Sequence, residues 1–266
     1  MHKIISIVAL VTITSFFLCN KITDWIVSDA EEAAMGDNLY EQIVSNTTDY
    51  PLIDRDNNPK HKLLGRYIDS IGYEIQKNQT ARPENEHLKY TFDVIDNNTT
   101  INAFAIPGGH MFFYTGLIKQ ARNEAEIAGV IGHELAHITQ RHGVQQLVKL
   151  SSVEYVQQLI FGDDPNVLTE AAKSLLFLKF SRENEYEADS LSTTFLSGAG
   201  YNPKGMQTFL ELLAQNSGWS FEPLSTHPDT EKRVEAVKRI IGSNPSGAIP
   251  INQAVAQGWI DGNLKN

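Results

Sequence analysis

The strongest constraint on this chain is a pentapeptide, His133-Glu134-Leu135-Ala136-His137, set in the run NEAEIAGVIGHELAHITQRHG. Apolar residues at Ile127, Val130, Ile131, Leu135 and Ile138 give that run a helical face for burial. On such a helix, positions i and i+4 stand about 40° apart around the axis and about 6 Å apart along it. Two imidazoles so placed can share one metal ion, and Zn²⁺ is the ion this spacing suits. Glu134 lies one step round the helix, where its carboxylate can serve as general base towards a water at the metal. The chain must therefore fold so that this helix is buried yet open along one stripe.

Composition narrows the donor set. There is one cysteine, Cys19, so no intramolecular disulfide and no Cys-based zinc module can form, and any metal must be held by His and carboxylates. With 22 Lys+Arg against 32 Asp+Glu, the net charge is −10, and no long basic run offsets it. Nucleic acid is excluded as a partner on that balance. A 41% hydrophobic and 20% charged content is that of a folded globular chain.

Two histidines leave a catalytic zinc one protein ligand short. A third His six residues beyond His137 would be expected in metzincins, but that position is Gly143. A carboxylate from a later helix is the alternative, and Ser181 to Asp189 (SRENEYEAD) offers Glu183, Glu185, Glu187 and Asp189. Glu185 and Asp189 are four apart on one face; one can bind the metal while the other accepts a hydrogen bond from a ligand imidazole. An ordinary solvated acidic face is the competing reading.

The chain around these residues reads as mostly helical. Amphipathic helices are expected over 30–46 and 60–77, separated by a Pro/Asn/Asp loop. Alternation in KYTFDVID, a turn at Asn97-Asn98, and NAFAIPGGHMFFYTGLI predict a small antiparallel sheet with a Gly-Gly hairpin. Helix is expected from Asn123 to Phe161 with breaks near Gly143 and Ser151-Ser152, then over 167–197, 203–215 and 228–241. The fold class is α+β, mainly α-helical, a zincin-like core with its sheet beside the metal helix.

The N-terminus has its own signature. Met1-His2-Lys3 precedes an apolar run from Ile4 to Leu18, short for a span and suited to a secretory leader. Cys19 at its end is placed like a lipidated cysteine, although Leu18 before it is not small. An uncleaved anchor continued by Ile22, Trp25, Ile26 and Val27 is the other reading. Either way the expectation is export, with the chain divided into 1–19 as leader or anchor, 30–242 as the functional domain and 243–266 as a tail.

Taken in order, NAFAIPGGHMFFYTGLI, NEAEIAGVIGHELAHITQRHG, FSRENEYEAD, the GYNP turn and STHPDTEKR resemble the HtpX-like and CAAX-prenyl-endopeptidase-like zinc metalloproteases. More narrowly they are similar to the exported bacterial BepA- and LoiP-like branch, over roughly residues 30 to 242. The resemblance implies one zinc per chain held by His133, His137 and Glu185, with Glu134 as catalytic base and Asp189 as the orienting carboxylate. It further implies a metalloendopeptidase of the bacterial envelope, on its periplasmic side, held at the membrane through the N-terminus. Polypeptide substrates, among them misfolded outer-membrane proteins, and a place in protein quality control are expected. A gated or latent protease serving as a chaperone or assembly factor is the alternative.

Other residues carry weaker expectations. His227 can cap the metal as a displaceable ligand or contact the substrate oxyanion, against a structural role beside a helix start. Arg233 is a candidate for substrate carbonyls. His142 reads as structural and pointing away from the metal pair, His110 as turn surface, and Glu183 and Glu187 as surface. Asn102 and Ala105 are expected near the cleft, on an edge strand able to pair with extended substrate, with Phe104 and Ile106 inward. Residues 144–178 read as a lid, a contact patch or, more simply, packed helices.

Overall fold

The computed structural model describes residues 23, 25–79, 81–82, 87–176, 179–215, 227 and 230–243. Residues 1–22, on which the leader or anchor expectation with Cys19 falls, and those beyond Ser243 lie outside them. Among the described residues no helix is long and apolar enough to cross a membrane.

Two helices open the fold: α1 (Asp29–Ser45) and α2 (Pro59–Asn78). The first starts where Ser28 and Glu31 satisfy each other's backbone N–H, and the second where Asn58 caps a helix with Pro in its first turn. Then come β1 (Thr91–Ile95), β2 (Ala103–Ala105), a tight 3₁₀ turn at Pro107–Gly109, β3 (His110–Tyr114) and the short α3 (Thr115–Gln120). The metal helix α4 (Glu124–Thr139) is capped by Asn123, whose side chain accepts from the Glu126 N–H. It is followed by α5 (His142–Leu150), α6 (Val153–Phe161), α7 (Pro165–Leu176), α8 (Arg182–Gly198), α9 (Lys204–Gln215) and α10 (Thr230–Ser243).

The sheet is mixed rather than antiparallel throughout. Its order is β1-β3-β2, with β1 parallel to β3 (Phe92 opposite Met111) and β2 antiparallel to it (Phe104 opposite Phe112). The Gly-Gly hairpin forms: Gly108 and Gly109 take φ of 86° and 107°, values that suit glycine. Strand β1, however, lies on the far side of β3 instead of beside β2. Alternation in a sequence reports which faces are covered, and it is silent on which neighbour supplies the hydrogen bonds.

β3 is buried along its whole length because both faces are covered. Met111 and Phe113 join a core with α2, α4, α8 and α9; Phe112 and Tyr114 join a second with α1 and α5–α7. Phe104 and Ile106 point into the second core, as expected. Residues 144–176 pack there through Val144, Leu147, Val156, Leu159 and Leu168, while Leu150, Val153 and Phe161 of the same stretch are exposed. Expected as one helix, 167–197 is instead parts of α7 and α8, with Ser181 capping the second.

Backbone-close contact fixes α9 on the metal helix. A side-chain carbon on Gly205 would stand 1.9 Å from the Ala125 carbonyl oxygen, and one on Gly129 would stand 2.7 Å from the Met206 nitrogen. These two glycines let α4 and α9 approach so closely that α9 becomes one wall of the cleft beside Glu134.

Candidate active site

Every residue of α4 from Ala125 to Thr139 is buried. One side of the helix meets the core, and the His133-Glu134-His137 stripe meets α8, which crosses it, and α10. Helix α8 brings Glu185 and Asp189 to this crossing, both fully buried, and the segment before α10 brings His227.

Ligand atoms of His133, His137, Glu185 and His227 all lie within 4.8 Å of one another. Nε2 of His133 is 3.1 Å from Nε2 of His137 and 3.4 Å from Nδ1 of His227. Nδ1 of His227 is 2.9 Å from Oε1 of Glu185, which is 3.6 Å from Nε2 of His137. Donors about 2.0–2.1 Å from a tetrahedral zinc stand about 3.3 Å apart, so these separations fit the edges of such a site. The donor set, three imidazoles and a carboxylate, fits the same ion.

Behind the cluster lies a buried ionic frame. Nδ1 of His133 is 2.9 Å from Oδ1 of Asp189, which leaves Nε2 as the ring's metal-facing atom. Arg233 grips Asp189 with a fork, Nε to Oδ2 at 2.8 Å and Nη2 to Oδ1 at 2.7 Å, while its Nη1 lies 2.8 Å from Oε2 of Glu185. Burial would raise the Asp189 and Glu185 carboxyls, but Arg233 and the neighbouring imidazoles hold both below the ordinary carboxylate range. Burial lowers His137, with the surrounding cationic groups adding to it. His227 moves the other way: Glu185 outweighs the burial.

Several expectations change here. Arg233 is buried and engaged by two carboxylates, and it also lines the cleft beside Glu134. His142 does not point away. It stands behind His137, Nδ1 to Nδ1 at 2.9 Å, with its Nε2 3.3 Å from Oε2 of Glu187. Glu187 is thus half-buried and engaged, whereas Glu183 is exposed as expected. His110 is buried rather than turn surface, stacked on Tyr40 and 3.1 Å from the Thr91 hydroxyl. Phe180, unremarked in the sequence, stacks on the His137 ring at 4.1 Å. The signal for His142 was its place in HELAHITQRH, five residues past a ligand; a π-bearing residue just before the α8 cap gave no signal at all.

Beside Glu134 and His133 opens a cleft of about 410 Å³, mouth included, walled by Asn102, Leu117, Met206, Phe209, Leu210 and Leu213. Asn102 lines it as expected, together with Ala103 rather than Ala105, and β2 is at the edge of the sheet. Ala105 borders a smaller hollow beside His137. The Oε1 atom of Glu134 is 3.9 Å from Nε2 of His227, between the cleft and the cluster.

A helix-borne His-Glu-x-x-His stripe, crossed by a carboxylate-bearing helix and opening on a walled cleft, defines a metallopeptidase. Comparison with known proteins agrees. The family model described as peptidase family M48 matches residues 65–241. The β-barrel assembly-enhancing protease of Escherichia coli (strain K12) is 31% identical over 224 residues, 78% of this chain and 43% of that protein. Mitochondrial metalloendopeptidase OMA1 of Arabidopsis thaliana is 33% identical over 162 residues, 59% of this chain and 33% of that one. Metalloprotease YcaL of E. coli (strain K12) is 26% identical over 192 residues, 69% of this chain and 72% of that one. The chain belongs to peptidase family M48, on the side of the assembly-enhancing proteases. It spans less than half the length of those proteases.

Proposed function

We propose that this protein is a zinc-dependent metalloendopeptidase that hydrolyses polypeptides in the bacterial cell envelope, in protein quality control. The observation that carries the reading is the convergence of the His133, His137, Glu185 and His227 donors with Glu134 at the mouth of a cleft. His133, His137 and Glu185 hold one zinc, and the catalytic unit spans 30–242. When bound, zinc polarises the scissile carbonyl and acidifies water.

The chain's own residues do the rest. Glu134 takes a proton from the attacking water and delivers it to the leaving amine. Asp189 fixes His133 in the tautomer whose Nε2 carries the lone pair, and Arg233 holds Asp189 ionised. The outer edge of β2 at Asn102–Ala105 pairs with substrate main chain, which makes recognition tolerant of sequence. Apolar walls of the cleft receive a substrate side chain next to the scissile bond.

The envelope assignment rests on the apolar run Ile4–Leu18 and on likeness to proteases named for β-barrel assembly. It includes attachment through the N-terminus, by a lipid on Cys19 or an uncleaved anchor, and misfolded outer-membrane proteins as substrates. One observation favours a second reading, a latent enzyme that works mainly as an assembly factor: Nδ1 of His227 sits among the ligand atoms, where it fills the position a reacting water needs. His227→Ala then raises casein cleavage; a fall instead assigns His227 to stabilising the transition state.

The test of the main reading is Glu134→Gln, scored side by side with wild type for zinc content and casein cleavage. One zinc per chain in both is expected, with cleavage reduced at least 10²-fold, the scale of a lost general base. Undiminished hydrolysis in the variant refutes the mechanism.

A further inference from the structure

Each of the two helix-borne imidazoles has a polar partner behind it, and the two arrangements differ. His133 meets the Asp189 carboxylate directly at 2.9 Å. His137 meets a second imidazole: its Nδ1 is 2.9 Å from Nδ1 of His142, and Nε2 of His142 is 3.3 Å from Oε2 of Glu187. Glu185, Glu187 and Asp189 are alternate residues of α8, so one turn of helix reaches the site at three points: one carboxylate at the cluster and one behind each imidazole.

Proton counting makes the second arrangement directional. Two facing Nδ1 atoms at 2.9 Å can share one hydrogen and no more. Between neutral rings, if His142 donates it, His137 must carry its own hydrogen on Nε2, the atom that faces the cluster, and His142 turns a bare lone pair towards the Glu187 carboxylate. If His137 donates it, His137 Nε2 is a free lone pair and His142 donates its Nε2–H to Glu187, an attractive contact. The carboxylate of Glu187 therefore selects the second arrangement over the first.

On the reading that this cluster holds a metal, we propose that Glu187 and His142 are positioning residues. They form a relay, Glu187 carboxylate to His142 to His137, that presets the His137 tautomer for ligation. Backbone geometry holds the relay in place. Arg141, between α4 and α5, takes a left-handed φ of 57°, and its side chain is anchored by Glu32 at 2.9 Å and by the Val27 carbonyl at 2.6 Å. That turn starts α5 at His142 and directs its ring back under His137. Phe180, stacked on His137 at 4.1 Å, closes the other face of the ring.

The outer end of the relay is about one third exposed, so substitutions at Glu187 leave the core intact. Zinc affinity, measured by competition with a chromogenic chelator, is the primary readout. Glu187→Ala and His142→Ala are expected to weaken zinc binding 10- to 100-fold, the range for lost outer partners of metal-bound histidines. Glu187→Gln, which keeps an acceptor oxygen for the His142 Nε2–H, stays within a few-fold of wild type. Rescue by Gln but not by Ala is a pattern that a merely structural surface residue does not give. Long-range ¹H–¹⁵N NMR of the metal-free protein supplies the second readout: His142 carries its hydrogen on Nε2 in wild type.

Wild-type affinity in both Ala variants, or a His142 ring protonated on Nδ1 alone, overturns the relay. If wild type takes up no zinc, the proposed function fails instead, and the NMR measurement on the metal-free chain still decides the relay.

Discussion

Replacing Arg233 by Met removes the only guanidinium in contact with Asp189 and Glu185 among the described residues, and does so with little change in volume. Arg233 makes two hydrogen bonds to Asp189, at 2.7 and 2.8 Å, and a third contact at 2.8 Å to Glu185, all three residues being buried. Removing one partner from such a frame leaves uncompensated charge in the interior and costs about 3–5 kcal/mol. At 1.4 kcal/mol per tenfold, the lower figure already shifts the folding equilibrium by about two orders of magnitude. The pH dependence sharpens the prediction. Asp189 and Glu185 have folded pKa values held below their ordinary 3.8 and 4.5, so the stability they contribute is present above those values and lost as pH falls through the depressed ones. Without Arg233, burial acts with less opposition and shifts both carboxyls upward, so the variant regains stability as they protonate on the way to acid. The wild-type-to-variant gap is therefore widest near pH 7 and narrows towards pH 4. Urea unfolding followed by far-UV circular dichroism on metal-free protein, at both pH values, measures it. A gap below about 1 kcal/mol at pH 7, or one that widens in acid, refutes this account of the frame.

Other perturbations test separate parts of the structure. Gly205→Ala puts a carbon against the Ala125 carbonyl, forces α9 off α4 and lowers stability by at least the ~1–3 kcal/mol of ordinary overpacking, read from the urea midpoint. Leu213→Trp fills the cleft beside Glu134; casein cleavage falls while zinc content stays at wild-type level. Burial depresses His110 from 6.5 to about 4, so the unfolded chain binds more protons in between. Its contribution makes stability fall as pH drops from 6.5 to 4, by roughly 3 kcal/mol at 1.36 kcal/mol per pK unit, and the acid slope flattens in His110→Asn.

The parts of this molecule that could be read in the sequence are those governed by local periodicity. The four-residue spacing of His133 and His137, and of Glu185 and Asp189, fixes which side chains share a helix face, and the structure brings both pairs to one crossing. The helix starts expected near residues 30, 60 and 123 likewise fall within a residue or two of the caps at Ser28, Asn58 and Asn123. What periodicity does not carry is the identity of the partner. The alternation in Thr91–Ile95 says which face is covered, and only assembly decides that β1 pairs with β3 in parallel. For Arg233, nothing local announces the two carboxylates that engage it, because they come from residues 44 and 48 positions earlier. His142 and His110 were misplaced for the same reason. An isolated histidine gives no local sign of whether a ring, a carboxylate or water will face it.

The span of the site along the chain has a consequence for how competence is acquired. Arg233 touches the ring of His133 across 100 positions, and His227 reaches it across 94. Synthesis runs from the N-terminus, so the metal helix leaves the ribosome long before its last counter-charge. Until α10 docks, Asp189 and Glu185 face each other without their cation and the cluster is short of its closing imidazole. The cluster and its counter-charge are therefore complete only once α10 has docked.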